Sequence, residues 1–221
     1  IEFKNAVQAK PDSVEARLAL ADALERTYDQ AGAEQHLRKA ASQGGDSDSL
    51  IPRIALMMLD HKESAKVISE FKDRRLTSPE ADSNLRGIVA IAYADQKQYP
   101  AAEDHLKAAA KNTATVQLAR AQLLLAQGKK EQAVAALDSS LAEPNAPWWV
   151  LRALGRIHQA SGNNEAAFQL MSRAYDAVPW HQSVMGEYAE FLLGSGKLEQ
   201  AIVIRDRLKK SAPRYYWTNY V

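Results

Sequence analysis

The sequence predicts an all-α fold, a right-handed α-solenoid of stacked antiparallel helix pairs. Its landmark residues recur every 34 positions, so that Gly162 is followed by Gly196 and Pro179 by Pro213. Within one period, apolar residues keep helical spacing on either side of a short turn, which indicates two amphipathic helices. Alanine and leucine are abundant and only 7% of the residues are aromatic, as is typical of helical proteins. A period of this length indicates helix pairs that bury their apolar faces against neighbouring pairs.

The period is clearest in residues 148–179. Leu151 and Leu154 lie on one face of the first helix, and Ala167 and Met171 lie on one face of the second. In this arrangement of small and apolar residues the sequence resembles the tetratricopeptide repeat family. The resemblance implies a stack of helix pairs that binds other proteins, and it specifies the fold far better than the partner.

Comparison of this pattern with successive segments predicts six repeats, together with an incomplete unit at each end. Pro11 ends the trailing helix of a preceding repeat, because proline disfavours helical geometry in the residue before it. Asp12 or Ser13 then caps the next helix. The chain therefore begins inside a repeat, and we expect it to be a fragment of a longer protein. The predicted segments of this single array over residues 1–221 are 1–12 (trailing helix), 14–47, 48–79, 83–113, 114–147, 148–181, 182–215 and 216–221 (the start of a further repeat or a cap).

Small residues are expected at two places in each repeat. Glycine is expected to end the first helix in a left-handed conformation at Gly128, Gly162 and Gly196. Alanine is expected where the two helices approach most closely, because the interaxial distance depends on the side chains at the contact. In the second repeat this assignment makes the turn at residues 60–63 about two residues short. The alanines assigned to these contacts are Ala33, Ala65, Ala102, Ala133, Ala167 and Ala201.

Composition excludes several classes of partner and chemistry. With 28 basic and 27 acidic residues the formal net charge is +1, so no overall field favours nucleic acid or an anionic membrane. The absence of cysteine excludes disulfides, thiol chemistry and cysteine-ligated zinc. No apolar run approaches the roughly 20 residues that span a bilayer. We therefore expect protein or peptide partners, no nucleic acid and no direct membrane span.

The sequence contains no arrangement of residues typical of an enzyme or a metal site. Residues 194–197 resemble the end of a phosphate-binding loop, but that motif requires a hydroxyl residue where this chain has Leu198. The segment instead falls on the helix-to-helix turn of the repeat. None of the histidines has the spacing of a helical zinc site, and we expect structural or surface roles for them: His36, His61, His105, His158 and His181. We therefore predict a non-catalytic protein without a cofactor.

The candidate binding residues follow from the family resemblance. In tetratricopeptide repeat proteins the second, fifth, ninth and twelfth residues of each unit line most of the concave groove. The lysine and asparagine clamp with which chaperone adaptors of the family hold a C-terminal carboxylate is absent here. The residues expected to line the groove are Trp149, Arg152, Arg156, Gln122, Leu118, Asn84, Ile91, Asp22 and Glu190.

Trp149, Arg152 and Arg156 form the best anchor cluster in that groove. Tryptophan and arginine are enriched among interface hot spots, and two arginines one helical turn apart can bind a carboxylate or a phosphate. The alternative is that both arginines are solvated and paired with Glu190 or nearby acids.

The aromatic tail is a second candidate surface. Tyr215, Tyr216 and Trp217 resemble the opening of the fifth repeat, and they begin either a truncated repeat or a surface for docking or self-association.

Four segments of the sequence resemble a particular branch of the family. The segments Ile1–Ala6, Pro11–Asp12, Glu15–Ala21 and Leu50–Ala55 are similar to the repeat lipoproteins of bacterial exopolysaccharide and PEP-CTERM sorting loci. That resemblance implies a scaffold of envelope polysaccharide or secretion machinery on the periplasmic side, although the lipidated cysteine of those proteins has no counterpart in these residues. The alternative is a cytoplasmic adaptor or regulator that recognises a peptide tail.

Overall fold

A computed structural model describes residues 2–27, 29–137 and 146–211 of the chain. Within these ranges all regular secondary structure is helical and no strand occurs, which confirms the predicted all-α class. The chain forms two compact units, Ile1–Leu137 and Asp138–Val221. Each unit is described by itself.

The first unit consists of successive helices joined by short turns. Helix α2 packs on α3, α4 on α5, α6 on α7 and α8 on α9, so the helices associate in pairs. The first helices of neighbouring pairs also contact one another, α4 against α6 and α6 against α8. The helices are α1 (Glu2–Ala9), α2 (Val14–Arg26), α3 (Gln30–Ser42), α4 (Ser47–Asp60), α5 (Ser64–Phe71), α6 (Pro79–Asp95), α7 (Tyr99–Lys107), α8 (Ala114–Ala126) and α9 (Lys130–Ala135).

The described part of the second unit contains two helix pairs. Helix α10 packs on α11 and α12 packs on α13, while α11 contacts α12 and joins the pairs. These are the stacked pairs of an α-solenoid, as the 34-residue period predicts. The helices are α10 (Trp148–Ala160), α11 (Asn164–Ala177), α12 (Gln182–Gly194) and α13 (Leu198–Ser211).

Side-chain caps determine where several first helices begin. The hydroxyl of Ser13 accepts a hydrogen bond from the backbone N–H of Ala16 at 3.1 Å, so Ser13 rather than Asp12 caps α2. Ser78 and Thr113 cap α6 and α8 in the same way. Each cap satisfies one of the N–H groups that the first turn of a helix leaves without a partner.

The two helices of a repeat meet at fully buried small residues. In the second unit, a Cβ atom added to Gly155 would lie 2.7 Å from Cγ of Met171 and 3.4 Å from the carbonyl oxygen of Ala167. A larger side chain at Gly155 or at Ala167 would therefore push α10 and α11 apart. The alanines at the equivalent contacts are all 0% exposed, namely Ala33, Ala102, Ala133, Ala167 and Ala201.

The second repeat has a different register from the one predicted. Ala65 is exposed, and Val67 is the fully buried residue at the close contact. Val67 follows Ala55 by 12 positions, the interval that also separates Ala21 from Ala33. The turn between α4 and α5 is therefore of ordinary length, and the prediction of a short turn was wrong. The register predicted from the alanine positions was wrong because this repeat has Val67, a larger and β-branched residue, at the contact.

The turn between the two helices of a repeat requires a left-handed residue. Gly128, Gly162 and Gly196 have φ angles of 79°, 80° and 72°, which confirms the predicted role of these glycines. Lys62 and Lys97 occupy the same turn position in the second and third repeats, with φ angles of 61° and 59°. A side chain with a Cβ atom is strained in this conformation, so these two turns are less favourable than the glycine turns.

His105 lies in a partly buried site next to positive charge. Its ring is 5.3 Å from the ring of Tyr93, measured between centroids. Burial lowers the pKa of His105, and the charges of Arg86 and Arg75 lower it further, while two nearby aspartates oppose the shift in part. The neutral imidazole is therefore the form that this site favours.

We expect Ala167→Leu to destabilise the second unit by about 1–3 kcal/mol, because extra methyl groups overpack a close helix contact. Urea unfolding followed by circular dichroism measures the change. Ala65→Leu is the matched control: its side chain is exposed, and we expect a change within about 0.5 kcal/mol. Equal effects of the two substitutions would contradict the register described above.

We expect Lys97→Gly to stabilise the first unit by about 0.5–1 kcal/mol, because glycine adopts a positive φ without steric strain. The same denaturation measurement tests this. Gly128→Ala, at the corresponding turn of the next repeat, should destabilise the unit although nothing lies within 4 Å of the added Cβ. A loss of stability in Lys97→Gly would mean that the turn is not strained.

We expect the stability of the chain to fall as the pH drops below about 6.5, the ordinary value for histidine. Since the folded-state pKa of His105 lies below its unfolded-state value, the unfolded chain binds more protons in this interval and is favoured. His105→Gln should reduce the loss of stability between pH 7.5 and pH 5, as measured by urea unfolding at both values. His61→Gln, at an exposed turn position, serves as the control for the loss of a histidine side chain, and an equal effect of the two variants would contradict the assignment to His105.

Candidate functional site

The predicted groove residues all lie on the first helices of the helix pairs. Asp22 is on α2, Asn84 and Ile91 are on α6, and Leu118 and Gln122 are on α8. The second unit contributes its residues from α10 and α12, namely Trp149, Arg152, Arg156 and Glu190. The tail residues Tyr215, Tyr216 and Trp217 lie outside the described residues.

The middle of the predicted groove is closed in the first unit. Leu118 is only 1% exposed and Ile91 only 8%, so their side chains belong to the core and cannot offer a binding surface. The reason is the direct packing of α6 on α8. A Cβ atom added to Gly87 of α6 would lie 3.0 Å from Cγ2 of Thr115 and 3.2 Å from its backbone. The expectation that Leu118 and Ile91 line an open groove is therefore corrected.

The acidic end of the predicted groove is bridged by a cation. Arg53 of α4 binds Asp22 at 2.6 Å and Glu25 at 2.8 Å, both on α2. Sequence reasoning missed Arg53 because it considered only the four family groove positions of each repeat. Arg53 lies on α4, the first helix of the next repeat. Its charge is opposite to that of Asp22 and Glu25, and this is the sequence signal for an ion pair between the two helices.

The second unit brings the two predicted arginines to one carboxylate. Arg152 lies 3.6 Å and Arg156 lies 3.7 Å from the carboxylate of Glu187 on α12. The guanidinium carbon of Arg152 also lies 5.7 Å from the ring centroid of Trp148, within cation–π range. The alternative prediction paired the arginines with Glu190 or nearby acids, and the ion pairs join both of them to one of those nearby acids, Glu187. Glu187 is one helical turn from Glu190, and the family groove positions do not include it.

Exposure differs sharply between the two arginines. The side chain of Arg152 is 15% exposed and that of Glu187 is 22% exposed, whereas the side chain of Arg156 is 65% exposed. Glu190 is also at the surface, where partial burial and the neighbouring Glu187 raise its pKa and Arg156 opposes the shift. The site therefore presents one accessible guanidinium beside an accessible carboxyl group.

Apolar surface adjoins these charges on the same two helices. Trp149 of α10 is partly buried, and Leu193 of α12 is 36% exposed. Asn84 and Gln122 of the first unit are partly buried as well. The combination of a charged pair with aromatic and aliphatic surface suits a peptide better than a small polar ligand.

The described ranges contain no metal-binding cluster and no helix suited to span a membrane. In residues 2–27, 29–137 and 146–211 no group of three or more His, Cys, Asp or Glu side chains could hold a metal ion. Across the same part of the chain, every helix is too short or too polar to cross a membrane.

Several solved structures share this fold at low sequence identity. The Cut9–Hcn1 hetero-tetramer of the APC/C is 11% identical with a TM-score of 0.54, and the match covers 98% of this chain and 43% of that one. A thermophilic tetratricopeptide repeat protein from Thermus thermophilus is 16% identical with a TM-score of 0.54, covering 82% and 100%. A tetratricopeptide repeat protein from Parabacteroides merdae is 12% identical with a TM-score of 0.52, covering 97% and 85%. At these identities the likeness shows the fold alone.

Sequence comparison identifies the family. No curated protein matches the chain. Two models of the tetratricopeptide repeat do match it, one over residues 158–218 and the other over residues 2–48 and 118–179. The matched segments contain α2 and α3 of the first unit and all four described helices of the second. The helix pairs, the left-handed turns and the family models agree over more than half of the chain. The chain therefore belongs to the tetratricopeptide repeat family.

Proposed function

We propose that the chain is a non-catalytic scaffold that binds a peptide segment of a partner protein on the surface formed by α10 and α12. The observation that carries this proposal is the arrangement of Arg152 and Arg156 around the single carboxylate of Glu187. Members of the tetratricopeptide repeat family generally mediate protein–protein interactions, which agrees with this assignment. We call this surface, with Trp149, Arg156 and Glu190, the arginine surface.

Arg156 is the residue through which the arginine surface binds. Its distance of 3.7 Å from Glu187 is longer than a hydrogen bond, and among the described residues no closer acid pairs with it. An acidic side chain of a partner can approach the exposed guanidinium to the 2.7–2.9 Å of a charge-assisted hydrogen bond. Because most of the side chain is in solvent, this contact gains affinity without a large desolvation cost.

The partner segment should combine an acidic residue with an apolar one. Trp149 and Leu193 offer apolar surface on the two helices that carry the charges. Glu190 adds a carboxyl group that selects against a purely acidic segment, since like charges placed together are repelled. A mixed acidic and apolar peptide therefore fits the arginine surface best.

The compartment proposed for this scaffold is the bacterial envelope, on its periplasmic side. The support is the resemblance of the segments within residues 1–21 and 50–55 to repeat lipoproteins of exopolysaccharide and PEP-CTERM sorting loci. The partner would then be a component of polysaccharide synthesis or secretion machinery. A cytoplasmic adaptor that recognises a peptide tail is the competing assignment.

We expect Arg156→Glu to reduce capture of the partner at least tenfold in a pull-down from the envelope and soluble fractions of the source cell. The charge reversal replaces an attraction by a repulsion at the centre of the arginine surface, a change worth about 2 kcal/mol or more. Mass spectrometry of the captured proteins measures the effect. Polysaccharide or secretion proteins in the envelope fraction are the expected partners.

Arg120→Glu is the matched control for this experiment. Arg120 is an exposed arginine of α8 outside the four family groove positions, and its reversal makes the same change in net charge. Capture that is equal with Arg156→Glu and with wild type would reject the arginine surface. Capture of soluble proteins alone, still lost in Arg156→Glu, would replace the envelope scaffold with the cytoplasmic adaptor.

A further inference from the structure

An open surface pocket of about 480 Å³, lined by residues of α2 and α3 of the first unit, lies away from the predicted groove positions. Its volume is in the range of small-molecule sites. Four of its six lining side chains are basic in character, and none is acidic. The lining residues are Arg17, Gln35, His36, Arg38, Lys39 and Ser42. We call this cavity the basic pocket.

Arg17 enters the basic pocket in a rigid orientation. Its Nε donates to the carbonyl oxygen of Pro11 at 3.0 Å and to Oε1 of Gln43 at 2.6 Å, and its Nη2 donates to Pro11 at 2.5 Å. Gln43 is held in turn by a hydrogen bond to Asp12 at 2.7 Å. The third nitrogen, Nη1, is directed at His36, 3.5 Å from its Nδ1. The guanidinium is therefore positioned by neutral oxygen atoms and not by a direct ion pair.

The positive charges of the basic pocket differ in how they are balanced. Arg38 binds Glu34 at 2.7 Å and binds Glu70 through two hydrogen bonds of 2.5 and 2.9 Å, so two carboxylates offset its charge. For Arg17 and Lys39, no carboxylate of the described residues lies within ion-pair distance. These two cations are consequently the ones available to an anionic ligand.

His36 lines the same pocket as these cations and supplies a further donor. Arginine only donates hydrogen bonds, so the 3.5 Å contact between Nη1 of Arg17 and Nδ1 of His36 suits the neutral tautomer that carries its proton on Nε2. Partial burial lowers the pKa of His36, and the charges of Arg17 and Lys4 lower it further, while Asp29 opposes the shift. The nearby charges thus disfavour a second proton on His36 as long as no anion is present.

We propose that the basic pocket binds a doubly charged oxyanion, a phosphate or sulfate group, through Arg17, His36 and Lys39. These donors come from two helices and surround one cavity, which matches an anion with several oxygen atoms better than a planar carboxylate. The pocket is larger than the bare anion, and its open side leaves room for a small organic phosphate as well. The basic pocket shares no residue with the arginine surface, and the two proposals can fail independently.

Nuclear magnetic resonance of the histidine side chains tests this site. Sulfate is the first probe, because its charge stays constant between pH 5 and pH 8, and chloride at equal ionic strength is the reference. We expect saturable shifts of the His36 resonances on addition of sulfate and a higher pKa of His36 in its presence, since a bound anion favours the imidazolium. The resonances of His61, in an exposed turn, should stay unchanged.

A matched pair of lysine variants locates the binding. Lys39→Gln removes one donor charge and should weaken sulfate binding about tenfold, the loss expected for one charge-assisted hydrogen bond. Lys111→Gln removes an exposed lysine that does not line the basic pocket and should leave the affinity unchanged. Equal shifts of His36 in sulfate and chloride, or undiminished binding by Lys39→Gln, would overturn the proposal.

Glycerol 3-phosphate is the second probe and distinguishes the two sources of the anion. Tighter binding than that of sulfate would assign the pocket to a phosphate ester, because only the ester can fill the rest of the cavity. Equal binding, with competition between the two probes, would assign it to the free oxyanion.

Discussion

The close approach of the two helices within each repeat is the constraint on which this structure depends. In five repeats it occurs at an alanine that is completely buried, and in the second repeat at Val67. Opposite Ala167 the space is so restricted that even the Cβ of an alanine in place of Gly155 would meet Met171 at 2.7 Å. Since interiors are close-packed, a helix pair held at this distance cannot relax around a larger side chain. The spacing between these contacts determines where every surface residue of a repeat is presented.

The same packing explains why the residues of the predicted groove differ in exposure. Where α6 lies directly on α8, Ile91 and Leu118 become part of the core. Between α10 and α12, Arg152 and Arg156 instead share the carboxylate of Glu187, and Arg156 remains largely in solvent. The ninth position of the repeat is therefore buried at Ile91 in the first unit and exposed at Arg156 in the second, where we propose that it binds a partner.

Local charge balance, rather than the net charge of +1, distinguishes the structural cations from the cations proposed to bind ligands. Arg53 and Arg38 each bind two carboxylates and tie neighbouring helices together. Arg156, Arg17 and Lys39 lack such close compensation among the described residues, and they define the arginine surface and the basic pocket. The two proposed sites lie in different compact units, so a peptide and an oxyanion would bind separate surfaces.

By itself, the sequence determined the helix pairs, their period and the glycine turns at Gly128, Gly162 and Gly196, because these depend on spacing and backbone conformation over short stretches. It also placed Arg152 and Arg156 together, one helical turn apart. Only the tertiary structure decided that Val67 fills the second contact, that Glu187 rather than Glu190 pairs with the arginines, and that Leu118 is core. The physical reason is that burial and ion pairing depend on how neighbouring helices are rotated and spaced. That geometry is determined only when residues about one repeat apart in sequence pack against one another.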